Sequence, residues 1–175
     1  MAGTRPAGAK HALNQVVSVW VSEAQLSLAQ RQIGAKQNEI VAIPEVLQLI
    51  DIAQKVVTID AIGCQHSIVK QIIEQKGHYL LALKANQQEC YEQVQMHFEE
   101  YADEFIVWTQ YDKDHHRAEE RHYYFSDKVN AMACLGDWQE CKCVCMVECK
   151  RTYLDRITIH KRYYISSLTQ VAPNN

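Results

Sequence analysis

Four short stretches of this sequence carry side chains that could do chemistry. The first is VVTID, in which a run of β-branched residues ends on Asp60. A carboxylate at the carboxyl end of a central strand points into the crevice where open α/β sheets bind ligands. The same aspartate could instead cap a helix predicted to begin near Cys64. One carboxylate alone does not support two-metal phosphoryl chemistry, because that chemistry needs several oxygen ligands around the cations.

The second stretch, DKDHHRAEER, is rich in charge and imidazole. In a strand, His115, Arg117, Glu119 and Arg121 would share one face, because side chains alternate between the two faces of a sheet. This face could be a polar site wall whose arginines contact phosphate, or a solvated edge with cross-strand ion pairs. A zinc site from His115, His116 and Glu119 would lack a fourth ligand at suitable spacing.

The third and fourth stretches carry a lysine and a group of cysteines. In LALKANQQE, Lys84 ends an apolar strand and Asn86 lies where a helix is predicted to begin. A lysine beside a helix N-terminus is typical of an anion site, and Asn86 is also a suitable N-cap. In CKCVCMVEC the spacing differs from that of C-x₂-C zinc motifs and favours a buried apolar face. The cysteines expected on that face are Cys141, Cys143, Cys145 and Cys149.

Hydrophobic spacing and turn residues predict the elements that position these residues. Pro44 is expected in the first turn of the first helix, and Gly77 just after the end of the second. VVTI reads as a strand in the middle of a mixed sheet, buried on both faces. The predicted strands are 12–22, 25–34, 56–60, 78–84, 106–112, 117–125, 141–150 and 158–168, and the predicted helices are 43–55, 64–77 and 86–105.

Composition places the chain among globular proteins. It has 175 residues, 47% hydrophobic residues and a net charge of −3. A stand-alone nucleic-acid-binding domain is usually more basic. Seven cysteines, an odd number, combined with no secretory signal and no apolar run of membrane-spanning length, favour a reduced cytoplasmic setting with no membrane partner.

The stretch 38–87 closely resembles the H-repeat-associated family of bacterial insertion-sequence transposases. It reads NEIVAIPEVLQLIDIAQKVVTIDAIGCQHSIVKQIIEQKGHYLLALKANQ. Two further motifs fit the same family, namely H-x-R-x-E-x-R at 115–121 and R-Y-Y-I-S-S-L at 162–168. Members of this family are DDE recombinases with a ribonuclease-H-like fold, which hold two Mg²⁺ or Mn²⁺ ions between two aspartates and a glutamate.

The resemblance implies roles for individual residues. Asp60 corresponds to the second catalytic aspartate and would be a metal ligand. Lys84 and Asn86 match the family's L-A-L-K-G-N-Q, although Ala85 stands where glycine is usual. These two residues, with Arg117 and Arg121, are the expected DNA contacts. The first catalytic aspartate and the final glutamate are absent from the chain, and Glu119 is an alternative third carboxylate.

The sequence therefore predicts an internal fragment of a DDE transposase. Residues 12–105 would form a partial ribonuclease-H-like core that is incomplete at its first strand, and 106–168 a β-rich insertion, with irregular ends at 1–11 and 169–175. The parent activity would be metal-dependent cleavage and transfer of DNA strands, and this chain alone is expected to be inactive.

Two alternatives stay open at this point. The chain could be a non-catalytic binding module that forms a homo-oligomer, or that pairs with a full-length transposase and inhibits it. It could instead be a metal or redox protein that uses His115, His116, Glu119 or the cysteine face.

Overall fold

The computed structural model describes residues 15–22, 25–33, 39–101, 105–114, 117–154 and 156–169. The chain forms two compact units, Met1–Ile50 and Asp51–Asn175. The smaller unit contains helix α1, which contacts both strands of an antiparallel hairpin. The bounds are β1 (Gln15–Val21), β2 (Leu26–Ile33) and α1 (Glu39–Leu47). The hairpin predicted from the alternation of apolar and polar residues is confirmed.

Helix α1 lies earlier in the chain than its apolar spacing predicts. The prediction of a helix at 43–55 with Pro44 in its first turn is wrong, because the helix begins at Glu39 and contains Pro44 in its interior. An internal proline removes one backbone hydrogen bond and crowds the preceding turn. The burial of the apolar side chains around it offsets this cost; they are Ala42, Ile43, Val46 and Leu47.

The larger unit is built on a six-stranded mixed sheet with the strand order β3-β4-β8-β7-β6-β5. Strands β3 and β4 are parallel, and all other neighbours are antiparallel. The mixed α/β class is confirmed, and the sheet continues across the predicted boundary at 105/106. The strands are β3 (Val56–Ile59), β4 (His78–Leu83), β5 (Ile106–Asp114), β6 (Arg117–Ser126), β7 (Cys143–Tyr153) and β8 (Arg156–Ser166).

Strand β3 lies at an edge of this sheet, so its predicted position in the middle is wrong. Val56 is 49% exposed, and Thr58 is exposed as well. A short apolar run is equally compatible with a central strand and with an edge strand, because burial depends on neighbours that the run itself does not reveal. Within the described residues, β4 is the one strand that pairs with β3.

Two helices complete the larger unit, α2 (His66–Glu74) and α3 (Gln88–Glu100). Phe98 of α3 stacks on Tyr163 of β8 with ring centroids 6.2 Å apart, and Tyr91 meets the same ring edge-on at 5.3 Å. The strand register places Leu83 and Met146 on the same face of the sheet as Tyr163, and all three are buried. We call this side of the sheet the helix face.

Helix α2 ends in a Schellman motif, in which Gly77 is one residue further along than predicted. The Lys76 N–H donates to the Ile73 carbonyl, and the Gly77 N–H donates to the Ile72 carbonyl, each at 2.9 Å. The left-handed position is Lys76, with φ of 60°. A Cβ on Gly77 would lie 3.0 Å from the Ile52 carbonyl oxygen and 3.2 Å from Ile72 Cγ2. Close packing, rather than backbone conformation, therefore requires glycine at position 77.

Substitutions at these two positions should act in opposite directions. Gly77→Ala is expected to lower the free energy of unfolding by about 1–3 kcal/mol, because the new methyl group overpacks the site. Lys76→Gly relieves the left-handed strain of a residue with a Cβ, so it should leave stability unchanged or raise it by up to about 1 kcal/mol. Urea unfolding of both variants measures the difference, and a Gly77→Ala variant as stable as the parent would contradict the packing argument.

Candidate functional site

Asp60 is the first residue after β3, at the carboxyl end of that strand. It is exposed, and its Oδ1 accepts a hydrogen bond of 3.2 Å from the Ile62 N–H, which caps the three-ten turn Ala61–Gly63. Helix α2 begins only at His66, without a side-chain cap. The aspartate thus caps a turn and not the helix. A carboxylate has about four lone-pair sites, so most of its acceptor capacity remains for a ligand.

The turns after β3 and β4 are tied together by two side chains. Asn86 Nδ2 donates to the Ala61 carbonyl at 2.6 Å, and Gln87 Nε2 donates to the Cys64 carbonyl at 3.0 Å. The interpretation of Asn86 as a helix cap is wrong, because α3 begins at Gln88 and Asn86 bonds across to the other turn. The ends of the two parallel strands therefore form one local surface.

Lys84 belongs to the same local surface, at the carboxyl end of β4. It follows β4 directly, is exposed, and keeps an extended backbone with φ of −146° and ψ of −171°. Parallel neighbours are about 4.8 Å apart, so Lys84 lies at the same edge of the sheet as Asp60. A carboxylate that can accept a cation and an ammonium group that can donate to phosphate oxygens thus lie at the carboxyl ends of neighbouring strands, with Lys84 two residues beyond the level of Asp60.

Glu119 is a buried carboxylate held by two arginines. It is 5% exposed and lies on β6 directly opposite Arg151 of β7. Arg151 Nε donates to Glu119 Oε2 at 2.8 Å, and Arg121 Nη2 contacts Glu119 Oε1. The hydrogen bond and the charge of Glu119 raise the pKa of the Arg151 guanidinium. The side chains of Arg121 and Arg151 remain 33% and 41% exposed, so each keeps donors for solvent or a ligand.

The structure does not bring Glu119 to Asp60. Four strand spacings separate β6 from β3, which is about 19 Å. Two catalytic cations lie only about 3.5–4 Å apart, so these two carboxylates do not share one such site. Across the described residues, no group of three or more histidine, cysteine or acidic side chains is arranged to hold a metal ion.

The alternation predicted for the H-x-R-x-E-x-R stretch is confirmed where the structure describes it. Arg117, Glu119 and Arg121 pair with alternate residues of β7 and so share one face of the sheet. Only the backbone pairing of Arg117 is described. His115 and His116 lie outside the described residues, and the zinc alternative that uses them lies there too.

Three of the four predicted cysteines, namely Cys143, Cys145 and Cys149, fall on one face of β7, whereas Cys141 precedes the strand. Cys143 is buried, and Cys145 and Cys149 are half-buried. Burial raises the pKa of the Cys64 thiol to about 12 and that of the Cys141 thiol to about 11, so both stay protonated near neutral pH. The hydrogen bond between Cys143 and Cys145 lowers the pKa of the Cys145 thiol. Metal binding and thiol exchange need thiolates, which the raised pKa values of Cys64 and Cys141 disfavour.

Several residues of this region are missing from the sequence predictions. Arg151 is absent because only the register of β6 against β7 shows that it lies opposite Glu119. For the cross-strand pair of Trp108 and Tyr123, whose ring centroids are 5.1 Å apart, the sequence did contain a usable signal. Alternation along predicted strands puts Tyr123 on the face of Arg121.

Comparison with known proteins first identifies the class of protein to which the chain is related. No protein-family model and no solved structure matches the chain. The "Putative transposase YncI" of Escherichia coli O157:H7 is 42% identical over 85 residues, which are 49% of this chain and 22% of that protein. By sequence, the chain is thus a relative of transposases.

Two relatives that match over more of the chain identify a particular group of transposases. The "H repeat-associated putative transposase YhhI" of Escherichia coli K12 is 32% identical over 174 residues, covering 94% of this chain and 44% of that protein. The "Uncharacterized protein in dhlA 3'region" of Xanthobacter autotrophicus is 36% identical over 156 residues, covering 88% and 53% respectively. By sequence, the chain is thus a relative of the H repeat-associated putative transposases. It spans at most about half the length of these relatives.

Among the helices that the structure describes, none has the length and apolar character needed to cross a membrane.

The burial of Glu119 predicts a large effect of its removal. Glu119→Ala leaves two arginines without their shared carboxylate and should lower the Tm by about 5 °C or more. Glu120 is the matched control, since it lies on the opposite face with 27% side-chain exposure and an ion pair to Lys150 at 3.8 Å. Glu120→Ala should change the Tm by less than about 2 °C. Equal Tm losses in thermal unfolding of the two variants would contradict this view of Glu119.

Proposed function

We propose that the chain carries part of a ribonuclease-H-like catalytic region of a DDE transposase, acting on DNA. One observation carries the proposal. The exposed carboxylate of Asp60 stands at the carboxyl end of β3, on a turn that Asn86 binds to the end of β4. The carboxyl ends of parallel strands are where open α/β sheets place their ligands. The family relationship supplies the reaction class, phosphoryl transfer between DNA strands.

The proposed metal is Mg²⁺ or Mn²⁺, since carboxylate oxygens are the preferred ligands of these hard cations. Asp60 fits as one ligand, because it is exposed and the described structure gives its carboxylate a single hydrogen bond. When bound in a complete site, such ions activate the attacking hydroxyl and stabilise the leaving oxygen. Since the described residues include no group of three or more histidine, cysteine or acidic side chains that could hold a metal ion, we infer that the chain alone does not cleave DNA.

Lys84, Asn86, Arg117 and Arg121 are the proposed DNA contacts. Lys84 is exposed at the end of the strand next to that of Asp60, where its ammonium group could meet a phosphate of the same DNA strand. Asn86 uses its amide nitrogen on the Ala61 carbonyl, so its contribution would come through the remaining amide oxygen or through the shape of the turn. Arg121 retains free donors beyond its ion pair with Glu119.

The pure chain should bind Mn²⁺ weakly, with a dissociation constant on the order of 1 mM, and should not nick plasmid DNA with Mg²⁺ or Mn²⁺. Asp60→Asn should abolish the Mn²⁺ binding, because an amide is neutral. Electron paramagnetic resonance of free Mn²⁺ measures the binding, and gel electrophoresis of the plasmid measures cleavage.

Asp51 provides the matched control. It is also an exposed aspartate whose Oδ1 accepts a hydrogen bond from the N–H two residues on, at 3.0 Å from Ala53. Asp51→Asn should leave Mn²⁺ binding unchanged. Equal losses in the two variants would refute the role of Asp60, and metal-dependent cleavage that Asp60→Ala abolishes would refute the inactivity of the chain.

The edge position of β3 favours a second candidate function, a module that binds another copy of the chain or a full-length transposase. An edge strand offers backbone groups to a further strand, and β3 has one partner strand among the described residues. Val56 also exposes half of its apolar side chain there.

Self-association through β3 would be sensitive to a charge at that edge. If it occurs, Val56→Lys should shift the chain towards the monomer in sedimentation velocity at rising concentration. Ile159→Lys is the control, because Ile159 is similarly exposed, at 56%, but lies on the interior strand β8. A chain that stays monomeric at all concentrations, or a dimer that both variants disrupt equally, would argue against this function.

A further inference from the structure

The face of β5–β8 opposite the helix face combines aromatic rings with arginines. We call it the arginine face. Its rings include Trp108 and Tyr123, which are cross-strand partners with centroids 5.1 Å apart, and Tyr153. Trp108 is 52% exposed and Tyr153 is 58% exposed. Between these rings lie Arg121 and Arg151, whose guanidinium groups are fixed by the buried carboxylate of Glu119.

This face carries positive charge although the chain as a whole is acidic. Its described cations are Arg121, Arg151, Arg156 and Arg162, and its described anions are Asp112 and Glu119. Four positive against two negative charges leave +2, compared with −3 for the whole chain. In the described part of the chain, neither Arg156 nor Arg162 forms an ion pair.

The opposite face of the same strands is different. There, Lys161 lies 3.6 Å from Glu148, and Lys150 lies 3.8 Å from Glu120. His122 also contacts Glu120 at 3.0 Å. The described charges of that face are Lys113, Lys150 and Lys161 against Glu120 and Glu148, which leaves +1, whereas the arginine face keeps a larger excess of +2. The excess is complementary to a polyanion.

The size of the arginine face limits its partner. The part of the face between the levels of Trp108 and Tyr153 spans about 14 Å across the four strands and about 20 Å along them, which is roughly 300 Å² in projection. A stable protein–protein interface takes about 800 Å² from each partner. Four-stranded sheets with exposed aromatic rings do bind single-stranded nucleic acid by stacking two or three bases. The bases of a duplex do not expose their faces for such stacking.

The strand register connects this face to the proposed active site. Leu83 of β4 pairs with Tyr163 of β8, so the next residues outward, Lys84 and Arg162, lie at one level. Arg162 continues in register through Val147 to Tyr123. The extended backbone of Lys84 keeps the alternation of β4, which places Lys84 on the side of the arginine face.

We propose that the arginine face binds a short segment of single-stranded DNA, with bases stacked on Trp108 and Tyr123 and phosphates contacting Arg151 and Arg162. This inference deepens the proposed function by naming a surface and a form of DNA, but it does not depend on metal binding at Asp60. Glu119 acts here as a positioning residue, because it holds two guanidinium groups in place without contacting the DNA.

The test uses the full chain, a fluorescein-labelled oligo-dT strand and EDTA, with fluorescence anisotropy as the readout. Trp108→Ala should weaken binding roughly tenfold, since one stacked base is lost. Arg162→Ala should weaken binding and reduce the slope of log K against log salt by about 0.7, since one phosphate contact is lost. A duplex of the same length should bind more weakly, and its binding should not depend on Trp108.

Matched controls lie on the same strands but point to the opposite face. Tyr111 is an aromatic residue of β5 with 74% exposure, and Lys161 is a cation of β8 next to Arg162. Tyr111→Ala and Lys161→Ala should each leave the affinity within about twofold of the parent value. The slope of log K against log salt should stay within about 0.2 of the parent slope. Losses equal to those of Trp108→Ala and Arg162→Ala would overturn the proposal, as would undetectable binding at low salt.

Two measurements separate this proposal from the proposed function. Mn²⁺ binding should depend on Asp60 and not on Trp108, whereas oligo-dT binding in EDTA should depend on Trp108. If Mn²⁺ binding at Asp60 holds and oligo-dT binding fails, the arginine-face proposal alone is wrong. If oligo-dT binding depends on Trp108 but no Mn²⁺ binding is detected, only the proposal of a metal site at Asp60 is wrong. A dimer that Trp108→Ala dissociates would identify a second copy of the chain as the partner and overturn the DNA assignment.

Discussion

The packing of α3 against Tyr163 determines which face of the six-stranded sheet is buried. Phe98 and Tyr91 both contact this ring, and the strand register extends the buried face from Tyr163 to Leu83 and Met146. Because side chains alternate along a strand, fixing one residue on the helix face assigns every other residue of that strand. A shift of β8 by one residue would bury Arg162 beneath the helix, so the apolar contact with α3 also sets the position of the charged residues.

Among the charged residues of the described strands, Glu119 is the exception to this division. It lies on the face opposite α3 and is nevertheless 5% exposed, because Arg121 and Arg151 lie on either side of it. A buried carboxylate is costly unless it is paired and hydrogen-bonded. Both arginines stay partly in water, which limits the desolvation of the cationic side of the cluster. The arrangement holds two guanidinium groups close together, although they would repel each other without the carboxylate between them.

Local sequence patterns predicted the strands of this unit well, because alternation is visible within one segment. They also placed Arg117, Glu119 and Arg121 on one face. They failed wherever the outcome depended on a distant partner. The edge position of β3, the bond from Asn86 to Ala61, and the pairing of Glu119 with Arg151 all depend on which segments become neighbours. Pro44 shows the same limit, since burial of α1 outweighs the local preference of proline for a first turn.

The antiparallel pairing of β4 with β8 places the two candidate sites at the same end of the sheet. Tyr163 pairs with Leu83, so the part of β8 from Arg156 to Arg162 continues beyond the carboxyl end of β4. Strands β5, β6 and β7 continue with it and carry the arginine face past that end. Asp60 lies two strand spacings from β8, or about 10 Å. A DNA strand held on Arg162 could therefore pass Lys84 and reach Asp60, whereas a strand bound at the other end of the sheet could not. On the proposal above, the overhang would join the two candidate sites into one path for DNA.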